Sequence, residues 1–352
     1  MDNRDLTATR INPRIDALLR IAAELRDLPS AEFKARLKAE LLASAQGAAE
    51  PAPAAPADER PTLAAHDVRG AADRMSGLKW RELAKFNNCQ VGLFRFSGTS
   101  PWERHNGGDE FLLNLDGEVD LITLTDDGPV RSTLHAGSFF VCPRGLWHRQ
   151  LASGPVTQLY ATPSHTTQIS RADDPRREGE AAIAEYTRRV RGEHPEMFGA
   201  DYSATPAPPR DDDYRLAPAP PGTDDLRPGP SLRERLVPYD LEAAFRNLPA
   251  WTMRFLATMD QCTVGVSHYS DAPHWELHPD GDELLYIVDG EVEMTTLTED
   301  GAVTSIVPAG SVFVCPKGLW HFPRARPHVS MLFVTPGKGT RISDADDPRS
   351  EA

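Results

Sequence analysis

The chain has no apolar run long enough to cross a bilayer, so no membrane-spanning helix is expected. Cysteine is scarce, with four in 352 residues, which excludes a scaffold built on disulfides. Positive charge is also short: 38 Lys and Arg stand against 52 Asp and Glu, for a net charge of −14. A phosphate backbone or an anionic membrane would be repelled, so neither nucleic acid nor membrane is expected as a partner. No helix-turn-helix or zinc-finger pattern offsets that reading. Residues 1–14 are polar and lack the apolar core of a secretory signal. A cytoplasmic location is therefore expected, where the four thiols stay reduced.

What is present begins with length, which suits two domains, each with its own core. Residues 1–47 form an expected N-terminal helical extension. Its apolar positions, such as Leu18, Leu19, Ala22, Leu25 and Leu28, then Phe33, Leu37 and Leu41, fall at helical spacing. Pro29-Ser30 divides it, with Ser30 as the N-cap of the second helix. The apolar stripe suits packing on a barrel or a homo-oligomer contact. Residues 48–63 are an Ala/Pro-rich linker, followed by a first domain at 64–177. Residues 178–230 read as a charged helix and then a Pro-rich connector, leading to a second domain at 231–352.

The two domains are copies. Residues 89–176 align without a gap to 262–349 at a constant offset of 173, as from Glu103 to Glu276. About half of the aligned positions are identical, so this is a duplicated domain and not a short solenoid repeat. Each copy reads as all-β. Short apolar or β-branched runs at 119–124, 139–142 and 159–162, and at 292–297, 312–315 and 332–335, are separated by Gly and Pro turns. Many short strands punctuated in this way predict a sandwich or a jelly-roll barrel.

Chemistry-bearing residues recur at fixed places. In the second copy, Glu276 and His278 are two apart on a strand and so share a face. A Pro279-Asp-Gly281 turn then lets Glu283 return from the next strand, and His321 arrives from a later one. The first copy repeats the set as Glu103, His105, Glu110 and His148. Imidazole and carboxylate together suit Fe(II), Mn(II), Zn(II), Ni(II) or Cu(II), and two His with one carboxylate is the arrangement of non-haem iron oxygenases.

The spacing resembles the two signature motifs of the cupin superfamily, Gly-x5-His-x-His-x3–4-Glu-x6-Gly and Gly-x5-Pro-x-Gly-x2-His-x3-Asn. His105-x4-Glu110-x6-Gly117 and His278-x4-Glu283-x6-Gly290 fit the first motif. Gly137-x5-Pro143-x-Gly145-x2-His148 and Gly310-x5-Pro316-x-Gly318-x2-His321 fit the second. The resemblance implies a bicupin: two jelly-roll barrels with one metal site in each. The implied ligands are His105, Glu110 and His148, and His278, Glu283 and His321. The family's first histidine is replaced by Glu103 and Glu276, its opening glycine by Ser97 and Ser270, and its closing asparagine by Ala152 and Ala325. Glu103 and Glu276 are either fourth ligands or catalytic carboxylates beside the metal.

The expected function is a metal-dependent enzyme on a small organic molecule, foremost an iron dioxygenase. A metal-dependent lyase, decarboxylase or isomerase, or a non-catalytic sensor, are the alternatives. His274 has no repeated partner and is expected outside the site, as are His135 and His328. Trp102, Trp147, Trp275 and Trp320 flank the ligands and are expected as core aromatics. Cys142 and Cys315 are expected as inert buried thiols.

Overall fold

The computed structural model describes residues 63–198, 232–271 and 273–351. The expected helices of 1–47, nearly all of the linker at 48–63 and the Pro-rich connector lie outside them. The described chain is mostly strand. A two-residue strand β1 (His66–Asp67) and a short helix (Val68–Asp73) lead into β2 (Lys79–Phe86), β3 (Cys89–Thr99), β4 (Trp102–His105) and β5 (Glu110–Asp116). Then come β6 (Val119–Thr125), β7 (Gly128–Leu134), β8 (Ser138–Cys142), β9 (His148–Thr162), β10 (Thr167–Ser170) and the helix Glu180–Glu193. The second half repeats this plan: β11 (Tyr239–Asp240), a helix (Leu241–Phe245), β12 (Thr252–Met259), β13 (Cys262–Ser270) and β14 (Trp275–Leu277). It ends with β15 (Glu283–Thr298), β16 (Gly301–Pro308), β17 (Ser311–Cys315), β18 (His321–Pro336) and β19 (Arg341–Ser343).

These strands form a ten-stranded and a nine-stranded sheet, each curled into a jelly-roll barrel. The repeat extends further back than residue 89. His66–Asp67 and Tyr239–Asp240 keep the offset of 173, and they are exchanged between the barrels. β1 pairs with β17 of the second barrel, and β11 pairs with β8 of the first. Asp67 and Asp240 then cap the following short helices, accepting from the N–H of Gly70 and Ala243 at 2.7 and 2.6 Å. Hydrogen bonding thus crosses the boundaries drawn at 64 and 231.

The central strands are buried on both faces, which is why they read as unbroken apolar runs. Phe139 and Val141 pack in a core shared between the barrels, with Val312, Val314, Leu332 and Val334 from the other barrel. Their neighbours Phe140 and Cys142 face the interior of the first barrel, and Phe313 and Cys315 that of the second. All four cysteines are free and buried. Cys89 and Cys262 lie in the shared core, a different layer from Cys142 and Cys315. Among the described residues no helix is long and apolar enough to cross a membrane.

Two hairpin turns pin the barrels together. Asn87 and Asp260 occupy the β2–β3 and β12–β13 turns with φ of 51° and 49°, a left-handed conformation that Asn and Asp tolerate. Asn87 exchanges backbone-to-side-chain hydrogen bonds with Asp282, at 2.7 and 2.8 Å. Asp260 does the same with Asp109, at 3.0 and 2.9 Å. One turn therefore joins an amide to a carboxylate, and the other joins two carboxylates. Burial, and then the charge of Asp109, pushes the Asp260 carboxyl up to about 7.

A raised acid pKa means the folded chain keeps a proton that the unfolded chain releases near pH 4, so stability falls as pH climbs from about 4 to about 7. Asp260→Asn, which copies Asn87, should remove that loss. Its melting temperature should match wild type below about pH 4 and exceed it above pH 7, by the equivalent of about 1–3 kcal/mol. A difference independent of pH would show that Asp260 is not the titrating group.

Candidate metal centres

Each ligand set is assembled by three strands. In the first barrel, β4 carries Glu103 and His105 on one face, β5 opens with Glu110, and β9 opens with His148. The register sets Glu103 opposite His148. In the second barrel, β14, β15 and β18 place Glu276, Glu283 and His321 in the same way, with Glu276 opposite His321, while His278 directly follows β14. All eight residues singled out from the sequence therefore converge in two clusters.

The two clusters differ in detail. Glu110 divides its oxygens, with Oε1 at 3.3 Å from His105 Nε2 and Oε2 at 3.0 Å from His148 Nε2. Glu283 turns one oxygen, Oε2, to both rings, at 3.6 Å from His278 and 3.1 Å from His321. Donor atoms of Glu276, His278, Glu283 and His321 all lie within 4.8 Å of one another, as do those of Glu103, His105 and His148. Glu110 falls outside that spacing in the first group. Glu110 is nevertheless nearer to His148 than Glu103 is, 3.0 against 3.8 Å, and it is the better ligand on geometry.

The rings are held from behind. His148 and His321 place Nδ1 at 3.2 Å from the carbonyl oxygens of Leu146 and Leu319. A carbonyl only accepts, so a ring that donates to it from Nδ1 leaves Nε2 to present a lone pair to an ion. Nδ1 of His148 also meets Cys142 Sγ at 3.0 Å. Thr167 and Thr340 meet Nδ1 of His105 and His278 at 2.8 and 3.0 Å. Thr162 donates to Glu110 Oε1 at 2.6 Å, and Thr335 donates to Glu283. Nε2 of all four histidines is buried without a hydrogen-bond partner. With neutral rings, lone pairs would face carboxylate oxygens at a cost of about 1–3 kcal/mol for each unsatisfied group. Without an ion a proton on Nε2 meets those oxygens instead. Burial opposes that proton, but the adjacent thiol and carboxylate raise His148 and His321 well above the usual imidazole range. A divalent cation between them removes that cost, competing with protons for the same atoms. The residues present fit such an ion.

Burial opposes the charges of Glu110 and Glu283, but the flanking imidazoles outweigh it and hold both carboxyls well below the usual range. Burial, and then the neighbouring carboxylate, pushes Glu103 and Glu276 the other way. Each barrel thus pairs a firmly charged carboxylate with one that favours its proton while no cation is present.

Cavities of about 290 and 330 Å³ open onto the clusters. The first is lined by Trp80, Phe94, Gln158 and Tyr160 and partly covered by Tyr186 and Val190 of the Glu180–Glu193 helix. Ile183, Thr187 and Val190 form that helix's buried face. None of the four flanking tryptophans lines either cavity. Trp102 and Trp147 pack with Leu124 and with Ile183 of this helix. His274 and His135 are exposed and paired with Asp344 and Glu118, and His328 is half-buried and paired with Asp289.

Sequence reasoning passed over the four threonines, although Thr162/Thr335 and Thr167/Thr340 are identical in both copies. It also passed over Gln150, Gln158 and the aromatic wall. No repeat signal marks those, because the copies differ there.

Family models agree with this architecture. One described as a cupin domain matches residues 93–159, and one described as cupin matches residues 271–342. The chain is a bicupin, a member of the cupin superfamily with two cupin domains. Solved structures with a similar fold include oxalate decarboxylase from Bacillus subtilis in work on its Mn(II) centres. That structure is 14% identical with a TM-score of 0.41, covering 73% of this chain and 71% of that one. The same enzyme at pH 4.6 is 15% identical with a TM-score of 0.43, covering 75% and 73%. An oxalate decarboxylase studied for its substrate binding mode is 14% identical with a TM-score of 0.44, covering 75% and 77%. No curated protein matches the chain.

If the threonines orient the rings, Thr167→Val should weaken metal binding at the first centre by about 10–100-fold, and Thr340→Val at the second. Chelator competition would measure this. Unchanged affinity in both variants would show that the hydroxyls do not position the ligands.

Proposed function

We propose that the protein is a metal-dependent enzyme acting on a small organic molecule, with one divalent ion held in each barrel. His105, Glu110 and His148 would hold the first, and His278, Glu283 and His321 the second. The observation that carries this reading is the convergence of two buried Nε2 atoms on one buried carboxylate in each barrel, at 3.3 and 3.0 Å in the first and 3.6 and 3.1 Å in the second. Once bound, the ion would polarise a substrate carbonyl or carboxylate, and if it is iron it would also support oxygen chemistry.

The protein's own groups do the rest. Leu146, Leu319, Thr167 and Thr340 fix the ring orientations. Glu103 and Glu276 stand at the cavity side of each cluster, within 3.8 Å of a ligand nitrogen. From there they can take a proton from substrate or return one.

Two reaction types fit. Two histidines and one carboxylate, with Fe(II), suit a dioxygenase. The placement of Glu103 and Glu276 favours the second type, a lyase, decarboxylase or isomerase with Mn(II), Zn(II) or another divalent ion, in which these carboxylates move the proton.

Anaerobically purified protein should contain about two equivalents of divalent metal per chain, and His148→Ala and His321→Ala should each remove one. Iron, with oxygen consumed when carboxylic acids or phenols are supplied, would support the dioxygenase. Another metal, with carbon dioxide or isomer formed and no oxygen consumed, would support the second type. Bound metal with no turnover would make the protein a sensor. Metal-free wild type, with both alanine variants as stable as it, would overturn the reading.

A further inference from the structure

The first cavity holds a feature that the metal set does not use. Gln150 and Gln158 lie on β9, line that cavity, and are 2% and 0% exposed. Neither the nitrogen nor the oxygen of the Gln158 amide has a partner, and the side-chain oxygen of Gln150 has none. Buried amides are rarely left so, because the unmade hydrogen bonds are unfavourable. Trp80 stacks on Phe94 with centroids 4.8 Å apart, and Phe94 on Phe96 at 4.6 Å, all lining the same cavity. Among the described lining residues the cation is Arg171, which is exposed, while Glu103 and Glu110 lie at the inner end.

The second cavity has rings of its own, Trp251, Tyr269, Phe255 and Phe333, but lacks the buried amides and the Trp80–Phe94 stack. The offset of 173 puts Met331 in place of Gln158, Pro323 in place of Gln150, Met253 in place of Trp80 and Ser267 in place of Phe94. The ligand sets are therefore shared, while the cavities above them are not.

We infer that the two centres bind different molecules, and that the first barrel takes a neutral, flat aromatic molecule whose head both donates and accepts hydrogen bonds at Gln158. This rests on the reading that each barrel binds a small organic molecule beside its ligand set. The unpartnered amide of Gln158 offers one donor group and one acceptor, so its complement is a carboxamide or a hydroxyl next to a carbonyl. The unpartnered oxygen of Gln150 adds a second acceptor. An anionic head would be desolvated beside Glu103 and Glu110, whose two carboxylates together offset the charge of a divalent ion, and the lining arginine Arg171 is exposed at the surface, so a neutral head is selected. The stacked rings supply a flat apolar wall for the body of the molecule.

Benzamide is the probe, with benzoate as its charged counterpart, titrated calorimetrically into metal-loaded and metal-free protein. Benzamide should bind at one equivalent per chain, and benzoate roughly tenfold or more weakly. Gln158→Met, the residue of the second barrel, should weaken benzamide roughly tenfold or more while both metals are retained. Its melting temperature should equal or exceed that of wild type, since an unpartnered amide is removed. No benzamide binding, equal affinity in variant and wild type, two equivalents per chain, or tighter binding of benzoate would each overturn the inference. So would a lowered melting temperature, which would make Gln158 a structural residue. Absence of metal from wild type would defeat the metal reading alone, because the metal-free titration still decides this one.

Discussion

Asp109 and Asp282 each stand one residue before a glutamate of the candidate metal centres, Glu110 or Glu283, and much of the structure converges on them. Asp109 accepts the backbone N–H of Arg144, on the loop that delivers His148, at 2.7 Å. Its other oxygen accepts from the N–H of Asp260 in the opposite barrel and from Arg235 at 3.1 Å. Asp282 accepts from Lys317 at 2.8 Å and from Asn87 in the same manner. One buried carboxylate thus fixes two ligand-bearing loops against each other and against the other barrel's hairpin. A ligand sphere tolerates little displacement, so groups held on both sides matter more than their individual hydrogen bonds suggest. The packing between the barrels is in this sense part of each site. The shared core and the exchanged β1 and β11 segments hold the clamping hairpins where they must be.

The duplicated sequence made the ligand sets legible because the repeat isolates what both copies need. Glu103, His105, Glu110 and His148 recur at a fixed offset, and strand periodicity already places Glu103 and His105 on one face. The jelly-roll architecture was legible from short runs such as 139–142, whose lack of alternation reflects burial on both faces. The exchange of β1 and β11 was not legible. Two-residue strands carry no periodicity, and pairing with the far barrel is set by tertiary contact alone. Thr162 and Thr167 were readable in principle, being identical to Thr335 and Thr340, but a threonine has too many ordinary roles to stand out. Gln158 was invisible for the opposite reason. It lies where the copies disagree, and a mid-strand glutamine next to Thr157 gives no hint that its amide is buried without a partner.

Identity and difference between the barrels therefore carry separate information. Residues that meet the ion, orient its ligands or clamp their loops are repeated almost throughout: His, Glu, Thr and the aspartates of both copies. The residues that differ line the cavities or meet at the hairpins. A helix, Glu180–Glu193, covers the first cavity and accepts hydrogen bonds from its barrel at Thr187, from the Ile169 N–H, and at Glu180, from Arg104. Trp251, Met253, Phe255 and Ile342 remain exposed around the second. Ile342 is 63% exposed, whereas its counterpart Ile169 is fully buried beside Val190 and Phe198. A shared chemical apparatus has thus been given two different surroundings, and substrate choice depends on surroundings more than on the ion.

The glutamates that replace the family's first histidine bear on the same point through charge. Two imidazoles and one carboxylate leave a divalent ion with a net positive charge, whereas a second carboxylate brings the sum to zero. Glu103 need not bind the ion for this to hold. At 3.8 Å from His148 Nε2, its carboxylate acts at full strength in a site with little water to screen it. A cation bound there would also draw Glu103 back to its charged form, against the burial that otherwise favours its proton. The centre then attracts an anionic substrate far less than a three-histidine sphere would. Among the described residues lining the first cavity, the arginine is Arg171, and it is exposed at the surface. Glu103 and the buried amides of that cavity act in the same direction, favouring recognition by hydrogen bonds and rings over recognition by charge.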